Sequence, residues 1–108
     1  TNSHGDAAAF VHRSGVRPGD RVAIIGDGVY AYWARLADVT LVAELPARAA
    51  PGYWEGDSLR QQAVLDAFRR SGATAVVAEN LPGGMQSLGW RVSDDGKRGV
   101  LPLAAPMP

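Results

Sequence analysis

The chain has 108 residues, enough for one modest core, and 46% of them are hydrophobic, a globular value. Eleven basic residues balance eleven acidic ones, which removes any electrostatic case for nucleic acid or an anionic membrane surface as partner. There is no cysteine, so disulfides, thiolate metal sites and cysteine nucleophiles are excluded.

No apolar run approaches the ~20 residues that a bilayer span needs, so no direct membrane insertion is expected. Arginine supplies ten of the eleven basic residues and alanine is abundant, a bias of GC-rich bacterial genomes. The chain begins at Thr1 without an initiator methionine and ends in Pro106-Met107-Pro108, which reads as a piece of a longer polypeptide. A single α/β domain over residues 1–108 is expected.

Residues 1–5 read as a polar, frayed tail, and Asp6 as the cap of a short helix over 7–14. Its inner face would carry Ala9, Phe10 and Val11, with Gly15 as a left-handed stop. His12 and Arg13 suit the negative end of the helix dipole, a role favoured over metal binding for His12, and His4 has no partner at metal-ligand spacing. Arg17-Pro18-Gly19-Asp20 then turns the chain into Val22-Ala23-Ile24-Ile25, a run without polar alternation, as in strands covered on both faces.

After Gly26-Asp27-Gly28 the stretch 29–37 predicts one helix, with Tyr30, Trp33 and Ala37 inward and Tyr32 and Arg35 outward. Residues 39–44 (VTLVAE) predict a second strand, which completes a compressed, right-handed βαβ unit. Residues 46–57 form a long loop whose Tyr53 and Trp54 are expected to lid the sheet edge. Ser58 and Gln61 form a capping box that opens a helix over 58–71. Its apolar arc is Leu59, Ala63, Val64, Ala67 and Phe68, and Gly72 stops it. Residues 73–79 (ATAVVAE) predict a third buried strand, and 80–84 (NLPGG) a loop. Residues 90–93 and 100–103 flank Asp94-Asp95-Gly96-Lys97, a hairpin signal, and Pro102 marks an edge position. The fold expected is a small three-layer Rossmann-like domain: three parallel strands extended by a C-terminal antiparallel hairpin. Chain order leaves the strand order open.

The run from Val22 to Ala31 matches the dinucleotide fingerprint of a strand followed by G-x-G-x-x-A. Gly26 would make the turn, Gly28 would let backbone approach a pyrophosphate, and Glu44 would hold ribose hydroxyls. Three features oppose this. Only 18 positions separate Gly26 from Glu44, with a helix of about nine residues between them. Asp27 puts a carboxylate where two phosphates would come close. The strand ends carry Asp27, Glu44 and Glu79 with no neighbouring cation, so the mouth is negative. S-adenosylmethionine, with its cationic sulfonium, tolerates such a mouth better, but the later strands of a methyltransferase are missing. There is no G-x-S-x-G elbow for hydrolase chemistry, and three carboxylates on separate strands are a weak cation signal. The candidate ligand-binding residues are therefore Gly26, Asp27, Gly28, Tyr30, Glu44 and Glu79; no catalytic or metal-ligating residue and no cofactor is assigned.

GVRPGDRVAI, YAYWARLADVTLVAEL and RRSGATAVVAE resemble two families. One is the N-terminal region of acyl-CoA synthetase-like adenylate-forming enzymes, whose serine-, threonine- and glycine-rich phosphate loop is absent here, so adenylation is not implied. The other is similar over nearly the whole chain: the soluble C-terminal domain of certain large bacterial multi-pass membrane proteins, some glycosyltransferase-like. The pieces are GVRPGDRVAIIGDG, YWARLA, VAELP, the Tyr53-Trp54 loop, VLDAFRRSGATAVVAE and LGWRVSDDG. That resemblance implies a non-catalytic Rossmann-like accessory domain whose partner is the rest of the membrane protein, on the extracytoplasmic side of the inner membrane. The rival reading is a small-ligand binding domain built on Gly26, Gly28 and Glu44. What separates them is whether the turn after the first strand is open or plugged.

Overall fold

The computed structural model describes residues 3–104; Thr1, Asn2 and the closing Ala105-Pro106-Met107-Pro108 lie outside the described residues. In chain order the elements are α1 (Ser3–Arg13), β1 (Arg21–Ile25), α2 (Tyr32–Leu36), β2 (Thr40–Leu45), α3 (Ala50–Trp54), α4 (Ser58–Arg70), β3 (Ala75–Glu79), β4 (Arg91–Val92) and β5 (Arg98–Pro102). They build one mixed five-stranded sheet in the order β2-β1-β3-β5-β4. β1 lies parallel to β2 and to β3, whereas β5 runs antiparallel to both β3 and β4. The hairpin is thus an integral half of the sheet, bonded to β3 through β5.

β1 lacks polar alternation because it sits between two strands and under two cores. Val22 and Ile24 face a cluster with Phe10, Val11, Trp33, Val77 and Val100. Ala23 and Ile25 face the other, with Tyr53, Phe68, Val76 and Trp90. Successive side chains of a strand point to opposite faces, so these two clusters are the two sides of the sheet. α1 and α2 cover the first and α3 and α4 the second. β2 forms one edge, and its register against β1 jumps from Val22–Leu41 to Ala23–Ala43, leaving Val42 bulged. A bulge of this kind twists an exposed edge away from further pairing. Pro102 lies on β5 beyond the end of the two-residue β4, where its missing N–H costs no ladder bond.

Several local expectations are corrected. α1 starts at Ser3, ahead of Asp6, and buries Ala7, Ala8, Phe10 and Val11 while Ala9 faces solvent. His12 reaches sideways, its Nε2 lying 2.8 Å from the Ala37 carbonyl, and so ties α1 to the end of α2. The stretch 29–37 is not one helix: a 3-10 turn, Gly28–Tyr30, is separated from α2 by Ala31 at φ −88°, ψ 61°. That break shifts the helical phase, so Trp33 and Ala37 are fully buried as expected but Tyr30 is 68% exposed.

The expected loop 46–57 instead folds into a 3-10 turn, Ala47–Ala49, and then α3, which Pro51 opens in its first turn, where a missing N–H is harmless. α4 is capped by Asp57, whose Oδ1 accepts the Arg60 N–H at 2.8 Å. There is no Ser58–Gln61 box, because the Gln61 amide donates to the carbonyls of Tyr53 at 2.9 Å and Trp54 at 3.4 Å. The inner arc of α4 is Gln61, Val64, Leu65 and Phe68, an i, i+3, i+4, i+7 set, while Leu59, Ala63 and Ala67 face solvent.

Candidate functional site

The C-terminal ends of β1 and β2 and the turn between them bring the sequence candidates together. Gly26 leaves β1 at φ +147°, a conformation that side chains rarely adopt, and donates its N–H to the Leu45 carbonyl at 2.9 Å. Asp27 stays extended and its Oδ1 accepts the Ala47 N–H at 2.9 Å, which pins the start of the segment after β2. Glu44 turns back across the turn, and its Oε1 accepts the Gly28 N–H at 2.6 Å. Glu79, at the end of β3, accepts the Trp33 indole N–H at 3.2 Å. Tyr30 projects into solvent and takes no part in this cluster.

Each of the three carboxylates thus has a structural task in holding the strand ends. The Glu44 contact bears on ligand binding most directly. Gly28 N–H is the amide that a pyrophosphate would use in a dinucleotide site, and here a side-chain carboxylate occupies it. A Cβ on Gly28 would lie 2.6 Å from Glu44 Oε1, so glycine is needed for this internal contact without any ligand. The helix that follows has only five residues, too short to add much dipole. Beside the turn lies a cavity of about 150 Å³ between Gly26, Glu79, Asn80 and the Ala50-Pro51 start of α3. No lysine or arginine lines it. Ligand pockets usually run from ~300 Å³ upward. Among the described residues no group of three or more His, Asp or Glu side chains could hold a metal ion.

On the same face of the sheet, the cluster that the sequence reading did not assign is aromatic. Tyr53 and Trp54 meet edge to face with centroids 5.0 Å apart, and Trp54 and Trp90 tilt together at 5.5 Å. Tyr53 and Trp90 belong to the buried core, and burial pushes the Tyr53 phenol pKa up, so it remains an O–H donor through the physiological range. Trp90 comes this close to the sheet because Gly99 faces it: a Cβ there would lie 2.8 Å from Leu81 Cδ2 and 3.0 Å from Trp90 Cε3. The sequence signal was the Tyr53-Trp54 pair. Its junction with Trp90, 36 positions later, exists only once β5 pairs with β3.

Searches against protein-family models, curated proteins and solved structures give no match to this chain.

Proposed function

We infer that this is a non-catalytic interaction domain of small three-layer Rossmann-like type, an accessory to a larger bacterial membrane-anchored protein on the extracytoplasmic side of the inner membrane. The observation that carries the non-catalytic part is the Glu44–Gly28 hydrogen bond: the anion-binding position of the glycine turn is filled by the chain's own carboxylate. The structural use of Asp27 and Glu79 supports it, as does the small, cation-free cavity beside the turn. The membrane-protein context rests on the resemblance of the sequence pieces alone. No helix among the described residues is long and apolar enough to cross a membrane.

A thermal-shift screen with NAD, ATP and S-adenosylmethionine tests this. A ligand at a hundred times its dissociation constant stabilises the native state by about 2.7 kcal/mol. At ~4–8 °C per kcal/mol, a domain of this size would melt roughly ten degrees or more higher. Shifts near zero are expected for all three at millimolar ligand. A clear shift with one of them, abolished by Glu44→Ala, would replace this reading with a small-ligand domain built on Gly26, Gly28 and Glu44.

A further inference from the structure

Between α1 and the turn that joins β4 to β5 lies a cavity of about 300 Å³, the size at which small-molecule pockets begin. On the α1 side Asp6, Ala9, Phe10 and Arg13 line it, an i, i+3, i+4, i+7 face of the helix. Asp94, Asp95 and Arg98 line it on the hairpin side. Asp95 is spent within the turn, on the Ser93 hydroxyl and the Lys97 N–H. The side chains of Asp6, Asp94, Arg13 and Arg98 make no hydrogen bond or ion pair among the described residues. Arg13 lies over the Phe10 ring, its Cζ 6.0 Å from the centroid. Arg98 carries the largest deficit. It is half-buried, and its Nε is sealed from solvent without a hydrogen-bond partner. A buried donor on a charged group is costly to leave unmet. Glu79 stands directly opposite Arg98 in the β3–β5 ladder, on the same face of the sheet, and is the internal partner that would answer it. The Glu79 carboxylate instead accepts the Trp33 indole N–H and forms no ion pair with Arg98. The core has taken that carboxylate, and the guanidinium charge at the cavity goes uncompensated.

The lining thus offers two guanidinium groups and two carboxylates, none of them neutralised from within the chain. A phosphate would meet the arginines but also three aspartates. A simple cation would meet the aspartates but also two guanidinium groups. A neutral sugar would leave all four charges unpaired. A molecule that carries one carboxylate and one ammonium answers both signs at once, and guanidinium is the side chain best shaped to hold a carboxylate. We propose that this cavity binds a small zwitterion, an α-amino acid or a short free peptide, with Arg98 and Arg13 receiving its carboxylate and Asp94 and Asp6 its ammonium. Ala9 and Phe10 supply the apolar wall for its carbon chain. This site lies away from the glycine turn and goes beyond the interaction-domain reading, on which it does not depend.

The test is ¹⁵N NMR of the domain, titrated separately with alanine, alanyl-alanine, N-acetyl-alanyl-alanine and alanyl-alaninamide. The Arg98 Nε–H and the Ala9 amide report the site, and the Trp54 indole N–H, which packs with the cluster on the opposite face of the sheet, is the reference. Alanine or alanyl-alanine should move both reporters saturably with Kd of ~1 mM or tighter and leave Trp54 in place. The tighter of the two names the source of the zwitterion. The acetylated peptide, which keeps only the carboxylate, and the amide, which keeps only the ammonium, should each bind at least ~tenfold more weakly, a difference of about 1.4 kcal/mol. Arg98→Gln and Asp94→Asn should weaken the zwitterion by a similar factor. Asp94 is exposed on the turn, so its variant keeps the fold even if Arg98→Gln does not. The zwitterion site is overturned if neither alanine nor alanyl-alanine moves the reporters, if either blocked peptide binds as tightly as the free one, or if Asp94→Asn binds unchanged. Such a failure leaves the interaction-domain reading in place, because that reading falls only on a thermal shift abolished by Glu44→Ala, and Glu44 does not line this cavity. S-adenosylmethionine carries the same two charged groups, and a shift that it produced through this cavity would survive Glu44→Ala.

Discussion

At the scale of single residues, the two glycines of the turn serve different purposes. Gly26 needs its positive φ, so Gly26→Ala should cost about 1–3 kcal/mol in backbone strain. Gly28 needs room for a flexible carboxylate end, which can swing away, so Gly28→Ala should cost only the lost hydrogen bond, ~0.5–1.5 kcal/mol. Urea denaturation of the two variants, with no ligand present, checks this order. Equal or inverted losses would mean that the turn is held some other way.

Asp95 sets the geometry of the hairpin turn. Its carboxylate accepts the Lys97 N–H at 2.9 Å and the Ser93 hydroxyl at 2.7 Å, and these bonds, the backbone one first, hold its pKa below the usual carboxylate value. Because the folded value is the lower one, its contribution is present above the unfolded value and is lost as pH falls through the folded one. The stability deficit of Asp95→Asn should therefore shrink as pH is lowered below about 4. Urea midpoints at a series of pH values measure it, and a deficit independent of pH would deny Asp95 this role.

At the scale of elements, α4 offers the sharpest contrast. Phe68 is 4% exposed on the face that packs on the sheet, and Leu59, one position past the start of the helix, is 81% exposed. Phe68→Ala should cost about 3–5 kcal/mol, whereas Leu59→Ala should stay within ~0.5 kcal/mol. The cap gives a second contrast: Asp57→Ala should lose ~1 kcal/mol and Ser58→Ala far less, since only Asp57 bonds the first turn. A larger loss from Ser58→Ala would restore the capping box. The short α3 owes its place to this helix, because Gln61 bonds the carbonyls at its C-terminal end and thereby seats Tyr53 and Trp54 against Trp90.

At the scale of the whole molecule, the C-terminal hairpin completes both cores. Val100 is fully buried among Phe10, Val11, Trp33 and Val77, while Trp90 packs in the opposite cluster with Phe68 and Tyr53. Arg91 Nη1 donates to the Ser14 carbonyl and so binds the hairpin to the end of α1. A chain ended at Leu88 would strip β5 from β3 and open both faces of the sheet. It should show no cooperative transition by far-UV circular dichroism, whereas the full domain should unfold in a single step. Cooperative unfolding of the shortened chain would mean that the three parallel strands are self-sufficient.

The sequence by itself determined the strands, the helix over α4 and the hairpin turn, because those depend on local signals: short runs rich in β-branched residues, helical periodicity, and Asp-Gly at a turn. It also brought Gly26, Asp27, Gly28, Glu44 and Glu79 to one end of the sheet, since parallel strands place their C-terminal ends together. The strand order, the phase of α2 and the use of the carboxylates were decided by tertiary structure alone. Tyr30 turned outward because the helix breaks at Ala31, close to where Gly28 is held by Glu44, 16 positions beyond that glycine, and no local periodicity encodes such a contact. The aromatic cluster was invisible for the same reason: Trp54 and Trp90 meet only when the pairing of β5 with β3 carries the hairpin across the sheet.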